Sequence, residues 1–124
     1  MPKYPNAILV VEDDTYLSKI IVNRLQEEGF IVQSADNGAT ALIMTKAQQF
    51  GLILLDLLMP VMDGFGFLRK FRESGIETPI MVFSNLSHDQ HKEEVMRLGA
   101  DSYYIKTDIS VDEVVRKIKQ HLDL

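Results

Sequence analysis

The chain contains no cysteine. Disulfides, thiolate zinc sites and thiol catalysis are therefore excluded. No apolar run approaches the ~20 residues that a membrane span needs. The segment from Met1 to Asn6 carries one Lys and two prolines but no apolar region, so it does not read as a secretory signal. There is no excess of positive charge. The 13 Lys and Arg residues stand against 18 Asp and Glu, a net charge of −5, which argues against nucleic-acid binding and leaves room for acidic sites that hold a cation. Low-complexity tracts and internal linkers are missing too. What remains is a chain of 124 residues, 46% hydrophobic and 25% charged, which argues against disorder. The expectation is one domain over residues 1–124, cytoplasmic, with no membrane partner.

Short apolar runs alternate with longer segments of helical period. The runs are Ile8–Val11, Phe30–Val32, Leu52–Leu55, Ile80–Phe83 and Tyr103–Ile105. The first, third and fourth are apolar on successive residues, the pattern of a parallel strand covered on both faces. Between Thr15 and Glu28, Leu17, Ile20, Ile21 and Leu25 recur at helical spacing. Val111, Val114, Val115, Ile118 and Leu122 form a second stripe, opposite Asp112–Arg116 and Glu113–Lys117 pairs at i, i+4. Ser110 with Glu113, and Ser87 with Gln90, read as capping boxes. Gly29, Gly51, Gly75 and Gly99 each fall between a helical segment and the next run, where Gly closes a helix in the left-handed conformation. Five strands alternating with five helices predict a doubly wound α/β fold with a five-stranded parallel sheet.

In such a sheet the site lies beyond the carboxyl ends of the strands, where strand order reverses. Glu12, Asp13 and Asp14 follow the first run, Asp56 the third, Ser84 the fourth and Lys106 the fifth. Polar residues end strands wherever strands reach the surface, which accounts for any one of these positions. It accounts poorly for the set. Asp56 stands in apolar surroundings, and clustered carboxylates repel and raise one another's pKa. A site for a hard divalent cation such as Mg2+ explains that cost.

These residues carry a resemblance. Ile8-Leu9-Val10-Val11-Glu12-Asp13-Asp14, then Leu54-Leu55-Asp56-Leu57-Leu58-Met59-Pro60-Val61-Met62-Asp63-Gly64, Pro79-Ile80-Met81-Val82-Phe83-Ser84, Gly99-Ala100-Asp101 and Ile105-Lys106 follow one another in this order. The sequence resembles the receiver domain of bacterial two-component response regulators over nearly its whole length. The resemblance implies a flavodoxin-like sheet in strand order 2-1-3-4-5 and a phosphorylation-activated signalling switch rather than an enzyme. It implies that Asp56 accepts the phosphoryl group, and that Glu12, Asp13, Asp56 and the backbone carbonyl of Leu58 hold Mg2+. Ser84 and Lys106 would bind the phosphoryl group, and Tyr103 would be the aromatic residue whose rotamer reports the switch. The implied partners are a histidine kinase or phosphotransfer protein and a downstream protein of unknown identity. The last two strand-helix units would be the face for a homodimer or a partner.

Some positions depart from the family. Thr107 stands where a Pro preceded by a cis peptide is usual. A non-Pro cis bond costs about 2.5–4 kcal/mol, so a trans bond is expected, with a displaced loop over Thr107–Ile109 and a weakened reach of Lys106 toward Asp56. That departure supports a second reading, a receiver-like binding module that is never phosphorylated. Asn85 replaces a usual Ala or Gly. Leu58 and Leu86, two residues beyond Asp56 and Ser84, offer no acid or amide to orient a hydrolytic water, so slow self-dephosphorylation is expected. A phosphohydrolase of the haloacid-dehalogenase type is the weakest reading, because Leu58 stands where that chemistry wants an acid. His88 and His91, at i, i+3 on a polar helix start, read better as solvated surface than as a metal site. The chain ends just after the last helical stripe, as a single-domain regulator or an isolated receiver would.

Overall fold

The computed structural model describes residues 6–122. In chain order the elements are β1 (Ala7–Val11), α1 (Thr15–Glu27), β2 (Ile31–Ala35), α2 (Gly38–Ala47), β3 (Leu52–Leu55), α3 (Gly64–Glu73), β4 (Ile80–Ser84), α4 (Asp89–Arg97), β5 (Ser102–Ile105) and α5 (Val111–His121). All strand pairings are parallel, and the sheet order is β2-β1-β3-β4-β5. The expected α/β fold and strand order are both present.

Every residue of β1, β3 and β4 is buried. These are the strands whose runs are apolar on successive residues, and they form the centre of the sheet. β2 and β5 are the edges and are partly exposed. Alternate side chains of the central strands enter two cores. Ile8, Val10, Leu52 and Leu54 pack with Ile21 and Leu25 of α1 and Val114 and Ile118 of α5. Leu9, Val11, Ile53 and Leu55 pack with Phe67, Leu68 and Phe71 of α3 and Val95 of α4. Each such side chain taken from water contributes about 1.5–3 kcal/mol, so the two cores clamp the sheet from both faces.

The helix boundaries follow local chemistry, with corrections. The Ser110–Glu113 capping box forms as expected. The Ser87–Gln90 box does not: α4 begins at Asp89, with His88 at the cap and no side-chain hydrogen bond there. Gly29, Gly75 and Gly99 have positive φ, but Gly51 does not. α2 has already ended at Ala47, and Gly51 instead donates to the Ala7 carbonyl at 2.7 Å. Asp112 pairs with Arg24 of α1 at 2.8 Å, joining two helices rather than two turns of one.

The loop between β3 and α3 is closely tied. Asp63 caps α3 by accepting from Gly66 N at 2.9 Å. The Met62 carbonyl accepts from Gly38 N at 2.8 Å, which joins the loop to α2. Val61 lies between a Pro60 carbonyl and a Met62 N–H bonded at 2.7 Å, with φ 68. This is a γ-turn on a β-branched residue, a strained combination. Gly64 abuts the strand end: an added Cβ would overlap the Asp56 carbonyl oxygen and lie 2.8 Å from Leu57 Cα.

Two unfolding measurements follow. Val61 is 85% exposed, so Val61→Gly loses little packing. It relieves about 1–3 kcal/mol of strain against about 0.5–1 kcal/mol of added chain entropy, and urea unfolding should show a gain of about 1 kcal/mol. Destabilisation by Val61→Gly would contradict the strain. Gly64→Ala should lose about 3 kcal/mol or more, as backbone overlap cannot be relieved by a rotamer; an unchanged midpoint would contradict the close approach.

Candidate functional site

Strand register brings the polar residues together. Val11 of β1 is paired with Leu55 of β3, so Glu12 and Asp56 leave adjacent strands at the same level. The ladder continues one step into both: Asp56 N donates to the Val11 carbonyl and Glu12 N to the Ala35 carbonyl, each at 2.9 Å. β1 is also where the sheet order reverses, with β2 on one side and β3 on the other. On the far side, Lys106 N donates to the Ser84 carbonyl at 2.9 Å, which fixes the start of the Lys106 side chain.

Glu12 and Asp56 are buried, at 4% and 5% exposure, while Asp13 is exposed. One oxygen from each of Glu12, Asp13 and Asp56 lies within 4.8 Å of the others. The Lys106 ammonium sits between the two buried acids, 2.8 Å from Glu12 Oε1 and 3.1 Å from Asp56 Oδ2. The second Asp56 oxygen accepts from Leu57 N at 2.7 Å, and the second Glu12 oxygen accepts from Asp14 N at 3.1 Å. Ser84 is fully buried and its hydroxyl accepts a long bond from Leu86 N, 3.5 Å. The Tyr103 hydroxyl donates to the Leu86 carbonyl, which ties β5 to the segment before α4.

The structure thus gathers Glu12, Asp13, Asp56 and Lys106 into one constellation, with Ser84 and Tyr103 on the neighbouring strands. Leu58 is exposed just beyond it. Lys106 keeps its reach: the described residues contain no cis peptide bond, and the turn after Lys106, closed by Asp108 N on the Ile105 carbonyl at 2.9 Å, still delivers the ammonium to both acids. The weakened reach expected from Thr107 does not occur. Two features escape sequence reading. The Lys106–Glu12 contact depends on how a long side chain folds back, and the Leu86 contact is a backbone carbonyl with no side-chain signal. The role of Gly64 could have been suspected from the Asp63-Gly64 pair beside Asp56.

The chemistry of the donor set suits Mg2+. Oxygens around an octahedral Mg2+ at about 2.0–2.1 Å lie about 3–4 Å apart, so three carboxylate oxygens within 4.8 Å need only a small contraction. Burial pushes the Glu12 carboxyl up to about 7, against the lowering effect of its bond from Lys106 and with the Asp56 charge adding to the rise. Burial works against the Lys106 ammonium, but its bond to Glu12 and the charges of Asp56 and Glu12 outweigh it and raise its pKa. Burial raises the Tyr103 phenol, and the Asp56 charge adds to that.

A pH dependence follows for the metal-free protein. The Glu12 value rises from an ordinary 4.5 to about 7 on folding, so its contribution to stability is full below about 4.5 and is lost as pH rises through about 7. With chelator present, the stability difference between wild type and Glu12→Gln should shift against wild type across that window. A flat difference would contradict the burial of the charge.

Comparison with known proteins agrees with this geometry. The profile of the response regulator receiver domain matches residues 8–119. Over 111 residues the chain is 37% identical to the cell cycle transcriptional regulator CtrA of Caulobacter vibrioides, covering 90% of this chain and 48% of that protein. It spans less than half the length of the relatives it matches. The receiver domain of the Francisella response regulator 1452 superposes with a TM-score of 0.89 at 28% identity, covering 95% of this chain and 97% of that one. The BeF3-activated N-terminal receiver domain of Klebsiella pneumoniae RstA superposes with a TM-score of 0.87 at 25% identity, covering 96% and 100%. With its motifs in order, its strand topology and its acidic strand ends in agreement, the chain belongs to the response regulator receiver domain family.

Proposed function

We propose that this chain is a phosphorylation-activated switch of a two-component system, in which Asp56 accepts a phosphoryl group from a histidine kinase or phosphotransfer protein. The observation that carries the reading is the placement of Asp56: a buried carboxylate with two further acid groups within 4.8 Å and an ammonium at 3.1 Å. An Asp56 oxygen bonds to phosphorus as the bond from phosphorus to the donor breaks, and its electron pair leaves with the donor. Glu12, Asp13, Asp56 and the Leu58 carbonyl would hold Mg2+, which supplies positive charge to the phosphoryl oxygens. Lys106, already beside Asp56, pairs with those oxygens. The acyl phosphate adds charge of about −1.5 to −2 at the sheet edge. The Ser84 hydroxyl then turns toward the new group, the Leu86–Tyr103 contact repacks, and the face of β4, β5 and their helices shifts population toward a partner-binding form. That face would serve a downstream protein or a second copy of the chain.

Slow loss of the phosphoryl group belongs to the same reading. Leu58, 55% exposed, and the half-buried Leu86 flank the site and offer a hydrolytic water no acceptor. The unphosphorylated binding module loses its main support, because Lys106 contacts Asp56 despite Thr107.

Intact mass after incubation with acetyl phosphate should show one phosphoryl adduct that requires Mg2+ and is absent in Asp56→Asn. No adduct, or a persistent adduct in Asp56→Asn, would overturn the assignment. The adduct should decay slowly, and Leu58→Asn should shorten its life several-fold; fast decay unaffected by that change would sink the lifetime argument.

A further inference from the structure

The start of α4 carries an arrangement that the phosphoryl site does not use. His88 stands at the cap position and His91 one turn further on. Their ring planes stand nearly perpendicular, at 81°, with centroids 5.6 Å apart. Solvated surface, the bland account of this pair, does not describe His91. Its ring packs edge-on against Phe65 of α3, centroids 6.0 Å apart, and its Nδ1 is buried without a hydrogen-bond partner among the described residues. A buried, unpaired ring nitrogen costs free energy unless something outside the chain satisfies it.

We propose that His88 and His91 form a two-imidazole site for a borderline transition-metal cation of the Cu2+, Ni2+ or Zn2+ class, separate from the acidic pocket. Three features carry this. The ligand type is the first: imidazole nitrogens suit these cations, while Mg2+ is taken by oxygen donors. Spacing is the second. A cation about 2.0–2.1 Å from a nitrogen of each ring, at a tetrahedral or wider angle, places the centroids about 5–6 Å apart, and they stand 5.6 Å apart. Charge is the third: Asp89, between them in the first turn, places a carboxylate beside an incoming cation. Two protein ligands leave the other coordination positions to water, so the site is exchangeable rather than structural.

The location gives the site a consequence. α4 is weakly held: Val95 is its buried residue, and its cap makes no side-chain hydrogen bond. A cation joining His88 to His91 clamps the first turn of this helix, just after Ser84 and the Leu86 carbonyl that receives Tyr103. On the switch reading above, that turn repacks on phosphorylation, so metal occupancy and phosphorylation would be thermodynamically coupled. The binding claim itself does not rest on that reading.

The test uses Cu2+ and the unphosphorylated full chain, with excess Mg2+ to occupy the acidic pocket. One equivalent of Cu2+ should bind, and its electron paramagnetic resonance spectrum should show coupling to two imidazole nitrogens. His88→Gln and His91→Gln should each weaken binding by about tenfold or more and remove one nitrogen coupling, while His121→Gln and Asp13→Asn should leave both unchanged. Binding that survives both α4 substitutions, or that is lost in Asp13→Asn with an all-oxygen spectrum, would overturn the proposal. Neither result would alter the Asp56 reading, which is measured by phosphorylation with Mg2+.

Discussion

Two buried carboxylates at the ends of adjacent strands, held against one ammonium, are the constraint around which the rest of this molecule is arranged. β1 and β3 are neighbours and end in register, so Glu12 and Asp56 cannot avoid each other. In a partly desolvated site their repulsion is larger than it would be in water. Lys106 relieves it, but only by reaching across from β5, the far edge of the sheet, over the end of β4 where Ser84 is fully buried. One ammonium serves two buried acids, and burial, with the Asp56 charge adding to it, still holds the Glu12 carboxyl above its ordinary range. The shortfall of positive charge is what a divalent cation would supply, and a site short of positive charge is poised to respond when an anionic group arrives.

The surroundings divide into a rigid half and an adaptable half. On the β3 side, Gly64 fits against the Asp56 backbone, Asp63 caps α3, and the Met62 carbonyl ties the loop to α2. Strain at Val61 is tolerated there because so many contacts determine the loop. On the β4 side, α4 has one buried residue and no side-chain cap, whereas α5 has a complete capping box and three buried residues. Beyond Ser84, the segment leading to α4 is tied to β5 through the Tyr103–Leu86 bond. Few buried contacts mean low local stability, and a change of charge at Asp56 is transmitted most easily where the structure yields most easily.

Much of this was legible in the sequence. The strands with unbroken apolar runs are the central ones, because only two-sided burial demands such runs. The edge strand β2 was harder: Phe30 precedes it while Gln33 and Ser34 belong to it, since an exposed edge leaves little apolar signal. Ser87 and Gln90 had the spacing of a capping box, yet α4 begins later, and spacing alone does not set backbone geometry. Gly51 looked like a helix stop, but α2 had ended earlier and the residue serves a strand contact with Ala7. At the site, acids, hydroxyl and Lys were visible because strand ends of a parallel sheet converge. That Lys106 would bond Glu12 as well as Asp56, and that His91 would be packed against Phe65, depended on side-chain conformations that no sequence period encodes.

The central claim is that Asp56, among several clustered acids, carries the phosphoryl chemistry. Its most direct test is reductive trapping. The protein is phosphorylated with acetyl phosphate and Mg2+, treated with borohydride to convert an acyl phosphate into the corresponding alcohol, and mapped by peptide mass. The account predicts homoserine at position 56 alone. Reduction at position 12, 13 or 14, or a phosphorylated protein with no reduced acid at all, would contradict it.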